Sequence, residues 1–264
     1  MGLTDQEYAE RFQEYLLVSR APQVTLEFLT TSLTALLPAE PPVRLLSVGA
    51  GTGSLDFAWM ATFAGAGLND FDYHLIEPNR GFFEQIEAKK AECADSLAAR
   101  IHTDCSTLSE AALDGEFDFI LMSHVFYYLE DRLASLEKVV SRLTPKGRIA
   151  ITLYSPSGIY QIHKKFLRRF TGDDYKAFSC EDLIELVESL RLPYRCVLLR
   201  SSVDVTECLL PESASGQRVL EFFVESRLAH AESEEVRNFV RDLCYVSVGR
   251  SYLFHPVGVV IVGG

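Results

Sequence analysis

The sequence predicts an α/β fold: a doubly wound parallel sheet, preceded by amino-terminal helices and followed by a helical cap. Three observations carry this expectation. The apolar run Arg44-Leu45-Leu46-Ser47-Val48 breaks into glycines on alternate positions, Gly49, Gly51 and Gly53, as a buried strand does when it enters a tight turn. A second apolar run, Tyr73-His74-Leu75-Ile76, stops at the acidic Glu77. Strand-length apolar runs and helix-length amphipathic segments then alternate as far as Tyr154, the pattern of stacked βαβ units.

In chain order, Tyr8, Phe12 and Tyr15 recur at helical spacing and form one apolar stripe. A second helix is expected around 24–37, stopped by Pro38, with Pro41-Pro42 as a linker. The alternation follows: strand 44–48, helix 54–65, strand 72–76, helix 79–97, a short strand at 100–103, strand 117–122, helix 131–143 and strand 148–154. Pro145 and Gly147 are read as the stop between the last helix and strand. Strand-like runs recur at 194–200 and 252–262, the latter as a closing hairpin. Segments 155–190 and 206–245 are helical by pattern and too long for simple connections, so they read as a cap. The chain is thus expected to form a single domain, 1–264, with a helical lid (1–40), a cofactor-binding core (43–154), a mostly helical cap with one strand (155–245) and a closing hairpin (246–264).

Composition excludes several classes of function. With 37 acidic against 25 basic residues and a net charge of -12, the chain is unsuited to nucleic acid, and its one dense basic cluster, Lys164 to Arg169, reads as a solvated helix face. No apolar run approaches the roughly 20 residues of a membrane span, and the amino terminus lacks a basic, then apolar, leader. A cytoplasmic protein without membrane or nucleic-acid partners is expected, with a monomer favoured and the oligomeric state left open. The six cysteines form no C-x-x-C pair, so neither a zinc knuckle nor a disulfide framework is indicated.

The glycine spacing is G-x-G-x-G, because Ser54 stands where a dinucleotide fingerprint needs its third glycine. An acid at the tip of the second strand is placed to accept hydrogen bonds from a ribose diol. Together they point to an adenosine-containing cofactor and look like the S-adenosylmethionine site of the class I methyltransferases. Taken alone, the glycines also suit an ordinary sharp strand-to-helix turn.

More specific sequence extends this likeness. Leu46 to Gly53, Ile76-Glu77-Pro78, the stretch from Phe117 to Asp131 with its Tyr127-Tyr128 pair, Ser157-Gly158 followed by Lys164-Lys165-Phe166, Asp173-Asp174, and Ser179 to Leu183 resemble the histamine N-methyltransferase family and its small-amine relatives. The resemblance runs along nearly the whole chain and implies a Rossmann-like class I methyltransferase sheet with a substrate-binding cap. It also implies that Gly49, Gly51 and Gly53 approach the methionine and ribose of S-adenosylmethionine, that Glu77 holds the ribose, that Ser106 or Thr107 lies near the adenine, and that Ser123 sits beneath the cofactor. For the substrate it implies Tyr8, Phe12, His124, Tyr127, Tyr128, Ile159, His163 and His255. Where the family carries a glutamate for the substrate amine this chain has Ala21, and where the family carries two amides it has His124 and His255. Loss of the carboxylate argues against histamine, unless Glu27 or Glu7 supplies an acid by another route.

Three of the six histidines thus fall on substrate positions. They are open to three readings: recognition or general-base catalysis by His124 and His255, packing, or a metal site, for which no local ligand spacing exists. The tyrosine pair could likewise begin a buried helix, although tyrosine hydroxyls need partners in a dry core. The expected activity is methyl transfer from S-adenosylmethionine to a small molecule, at an amine or imidazole nitrogen and not on histamine, with no metal. A small-metabolite O-methyltransferase and a degenerate S-adenosylmethionine-binding regulator are the alternatives.

Overall fold

A computed structural model describes residues 2–37, 42–172 and 176–263. Pro38, Pro41 and Asp173-Asp174 lie outside the described residues. The chain forms two compact units interleaved along the sequence. One comprises Met1–Val24, Tyr154–Asp182 and Leu198–Gly258, and the other Thr25–Leu153, Leu183–Val197 and Val259–Gly264.

Helix α1 (Asp5–Val18) starts from a capping box between Thr4 and Glu7, which satisfies two otherwise orphaned amides. Helix α2 (Ala21–Phe28) passes into a π turn, Leu29–Leu33, and a 3-10 turn, Thr34–Leu36, so the single helix expected over 24–37 is broken. Thr34 is held there as the acceptor of the Trp59 Nε1 proton, at 2.8 Å.

The alternation then runs through β1 (Val43–Val48), α3 (Ser54–Met60), β2 (Phe71–Ile76), α4 (Arg80–Ala91), α5 (Asp95–Ala98), β3 (Ile101–Asp104), β4 (Phe117–Ser123), α6 (Arg132–Val140) and β5 (Leu143–Tyr154). Two expected helices are shorter than their patterns. The first stops at Met60 because Gly65 and Gly67 favour a 3-10 turn, and the second is divided at Glu92 to Ala94. Strand β5 begins five residues before the expected 148, because the Pro145-Lys146-Gly147 segment is absorbed as an irregularity in its pairing with β4.

After β5 come α7 (Ile159–Thr171), α8 (Cys180–Ser189), β6 (Tyr194–Leu199), β7 (Ser202–Asp204), α9 (Ala214–Val224), α10 (His230–Leu243), β8 (Cys244–Ser247), β9 (Arg250–Phe254) and β10 (Val257–Gly263). The seven-stranded sheet has the order β3-β2-β1-β4-β5-β10-β6, and β1 pairs in parallel with both β2 and β4. Strand order therefore reverses beside β1, and ligands of such sheets bind beyond the carboxyl ends at this point. The expected closing hairpin is not formed. His255 and Pro256 separate β9, which pairs antiparallel with β8 and β7 in a second sheet, from β10, which belongs to the large one.

The basic residues of α7 are partly used inside the protein: Lys165 lies 3.9 Å from the centre of the Phe239 ring and Arg169 bonds Glu235. No helix of the described residues is long and apolar enough to cross a membrane.

Candidate active site

The turn after β1 is built on left-handed backbone. Gly49, Gly51 and Gly53 have φ of 66°, 58° and 70°, which explains their alternation. The amides of Gly49 and Ala50 both donate to the carbonyl of Ile76, tying the turn to the tip of β2. There Glu77, only 6% exposed, accepts from Gly51 N and from Asn79 N, each at 2.8 Å. Burial pushes its pKa above the usual carboxylate value, against the pull of these two amides. A side chain at Gly51 would meet nothing within 4 Å, so the backbone of the turn borders open room there; one at Gly49 would lie 2.3 Å from Val125 Cγ2.

Beneath the turn, Tyr73 donates to Asp56 on the first turn of α3 at 2.7 Å. Burial raises the Asp56 pKa to about 6, with Tyr73 and Ser47 opposing. Further along the sheet edge, the Ser106 hydroxyl is buried with no hydrogen-bond partner among the described residues. Thr107 is instead engaged locally, with Ser109 and Glu110. Of these two adenine candidates, Ser106 is therefore the one with an unused polar atom.

At the end of β4, Ser123 Oγ lies 3.1 Å from Thr152 Oγ1. His124 follows with φ of 53°, a conformation that costs a non-glycine residue about 1–3 kcal/mol and persists only where surroundings enforce it. The enforcing group is Thr152, whose carbonyl and hydroxyl both accept from His124 N, at 3.0 and 3.2 Å. Burial drives the His124 pKa from 6.5 down to about 4, so the ring is neutral at pH 7. Its centre is 6.5 Å from that of Tyr127, which is 4.7 Å from that of Tyr128 on the same 3-10 turn.

The remaining expected substrate residues belong to the other unit. Tyr8 stacks on Phe12, and both meet Phe222 of α9. His163 and His255 flank Tyr154 with ring centres at 5.5 and 5.3 Å. His255 is fully buried, and its Nδ1 accepts from Ile159 N at 3.4 Å, which places the proton of the neutral ring on Nε2. His163, 3% exposed, has its pKa pushed down to about 3 by burial and by Lys176, with a hydrogen bond to the Phe223 backbone opposing. Its Nδ1 has no partner among the described residues. No group of three His, Cys, Asp or Glu among the described residues is placed to hold a metal ion.

The sequence reading missed Tyr154, Thr152 and Asp56. The signal for the first two was a polar group at the carboxyl end of an otherwise apolar strand. Ala21 is buried where the acid of the resembled family would be, and neither proposed substitute fills in: Glu27 is exposed, and Glu7 is bound to Thr4 and Arg227. The buried carboxylates of the described residues are Asp56, Glu77 and Glu221, and each already has a donor.

The glycine turn, the carboxylate at the tip of β2 and the reversal of strand order beside β1 define a Rossmann-like class I methyltransferase. Comparison with known proteins agrees. A family described as a methyltransferase domain matches residues 46–149. The solved plantazolicin methyltransferase BpumL, in complex with S-adenosylhomocysteine, shares the fold at a TM-score of 0.54 and 13% identity, over 98% of this chain and 88% of that one. The YcgJ protein of Bacillus subtilis does so at a TM-score of 0.62 and 13% identity, over 90% and 98%. Histamine N-methyltransferase A of Xenopus laevis is 26% identical over 83% of this chain and 80% of its own length, and the Mus musculus enzyme is 26% identical over 83% and 79%.

The chain is an S-adenosylmethionine-dependent methyltransferase and is similar to the histamine N-methyltransferases. The residues present fit that cofactor: bare backbone at Gly51 beside open room, a buried carboxylate at Glu77, and the unused Ser106 hydroxyl.

Proposed function

We propose that this enzyme methylates an amine or imidazole nitrogen of a small molecule other than histamine. The observation that carries the reading is the weak basicity of His124, the ring presented at the carboxyl end of β4, with a pKa of about 4. Drawing a proton from a hydroxyl of pKa about 10 onto such a ring is uphill by roughly 8 kcal/mol, at 1.36 kcal/mol per pKa unit. An imidazole, of pKa about 6.5, is mostly neutral at pH 7 and brings its own lone pair, so it needs orientation more than deprotonation, whereas an aliphatic amine must first lose its proton to water.

Bound S-adenosylmethionine supplies a sulfonium methyl group that is open to in-line displacement. In the proposed scheme Glu77 holds the ribose, Gly49, Gly51 and Gly53 border the methionine and ribose, and Ser106, in preference to the locally bonded Thr107, and Ser123 are further cofactor contacts. His124, Tyr127 and Tyr128 orient the acceptor nitrogen, and the Nε2 proton of His255 is a donor to a polar group of the substrate. Tyr8, Phe12, Ile159 and His163 are proposed to complete the substrate contacts. Histamine is disfavoured because a cationic side chain finds no uncommitted buried carboxylate among the described residues.

The test is transfer of labelled methyl to a panel of imidazoles, amines, phenols and carboxylates, with the product identified by mass spectrometry and NMR. An N-methyl product, poor turnover of histamine, and a His124→Ala loss of kcat much larger than its loss of S-adenosylhomocysteine affinity are expected. An O-methyl product, or His124→Ala at full activity, overturns the reading. Tight S-adenosylhomocysteine binding without turnover of any acceptor in the panel would favour a regulator.

A further inference from the structure

The unit that contains His255 also holds a cleft of about 460 Å³, lined by Arg20, Arg200, Ser201, Ser202, Tyr245 and Phe254. This volume is in the range of small-molecule sites. We infer that the cleft binds a small aromatic acid, its anionic head between Arg20 and Arg200 and its planar body against Tyr245 and Phe254.

The charges are the first support. The protein carries a net charge of -12, and in the same unit Arg11, Arg169, Arg218, Arg227 and Arg250 each hold a carboxylate, while Arg237 and Arg241 are bonded to Cys208 O and Asn238 and Arg168 makes no ion pair among the described residues. Arg20 and Arg200 are exposed and make no ion pair among the described residues. In so acidic a chain, two arginines brought from opposite ends of the sequence into one cleft without a carboxylate form a place kept for an anion, which guanidinium groups grip in bidentate fashion.

Ser201 is the second support, independent of the first. It is 5% exposed, and its buried hydroxyl has no hydrogen-bond partner among the described residues. A buried hydroxyl left without a partner is unfavourable, and a ligand oxygen would satisfy it. The backbone around it is fixed: Ser202 O accepts from Arg20 N at 3.1 Å, and Ser201 O accepts from His255 N at 3.0 Å.

The walls are the third. Tyr245 is 46% exposed and Phe254 42%, and Tyr245 is backed by Tyr252 with ring centres 5.7 Å apart. An exposed ring held flat by a second ring is a stacking platform, and it selects a planar partner over a bare ion.

Calorimetry on the full chain, with S-adenosylhomocysteine present throughout, tests the proposal using benzoate, phenyl phosphate, inorganic phosphate and benzyl alcohol. Benzoate or phenyl phosphate should bind, more tightly than inorganic phosphate, and benzyl alcohol should not. Arg20→Gln and Arg200→Gln should each weaken the aromatic anion about tenfold or more, while S-adenosylhomocysteine affinity stays unchanged and reports an intact fold. Tyr245→Ala should narrow the gap between phenyl phosphate and inorganic phosphate. Aromatic anions that fail to bind, or that bind equally well to the Arg20→Gln/Arg200→Gln double variant, overturn the proposal. Equal binding of benzyl alcohol does so too, because it would assign the affinity to the rings alone.

Discussion

Replacing Glu77 tests the cofactor site most directly, because this carboxylate has two duties that separate experimentally. It is 6% exposed and accepts from Gly51 N and Asn79 N at 2.8 Å each, so it shapes the glycine turn before any ligand arrives. Its assigned second duty is the ribose of S-adenosylmethionine. In Glu77→Gln the amide oxygen can still serve one of the two backbone donors, but the other faces an NH2 group. A buried donor without an acceptor costs about 1–3 kcal/mol, and for a domain of this size that lowers Tm by about 2–10 °C. Loss of charge-assisted bonds to the diol costs a further 1.5–3 kcal/mol, roughly ten- to a hundredfold in affinity. Glu77→Ala strips both backbone donors and should be the less stable of the two. Thermal unfolding without ligand reads the first duty, and calorimetry with S-adenosylhomocysteine on folded Glu77→Gln reads the second. A variant of lowered Tm but unchanged affinity would refute the ribose contact, and an unchanged Tm would refute the structural duty.

Two further predictions concern neighbouring features. Gly49→Ala should cost about 2–4 kcal/mol, since its Cβ would fall 2.3 Å from Val125 Cγ2 on a backbone with φ of 66°, and Val125→Ala should recover the steric share in urea unfolding; additive losses would refute that contact. Buried His163 should make the protein acid-sensitive. Its folded pKa of about 3 lies below the unfolded 6.5, so its stability contribution is complete above pH 6.5 and is lost as pH falls toward 3. That loss is about 2 kcal/mol by pH 5. His163→Phe should flatten the dependence of urea stability on pH between 7 and 5, and an unchanged slope would show that the ring protonates in place.

The parts of this enzyme that were legible in its sequence are local ones. The glycine turn and Glu77 announce themselves because left-handed backbone demands glycine and because an acid that ends an apolar strand sits at the sheet edge where ligands bind. Strands β1 to β5 were legible from alternation, as was the aromatic stripe of α1. Long-range pairing was not. Nothing in Tyr252 to Val262 says that its two halves enter different sheets, since both are apolar enough for either. The Asp56 and Tyr73 pair joins a helix to a strand, Tyr154 lies between histidines from two other segments, and Arg20 and Arg200 line one cleft only because β7 runs beside the turn after α1. Such convergences depend on topology, and a residue's neighbours in the chain carry no trace of them.

The position of β10 has a consequence for synthesis. In the sheet it lies between β5 and β6, yet it follows both in the chain. A ribosome adding about 5–20 residues per second needs roughly 5–20 s to travel from β5 to β10. Throughout that interval β5, whose Ile149, Ala150, Ile151 and Leu153 are buried in the finished fold, has one edge open, and β6 has no strand to join. An apolar strand edge left waiting invites pairing with other nascent chains. The yield of folded enzyme in a cell should therefore depend on how well chaperones shield that edge, a kinetic property on which the stability of the completed protein is silent.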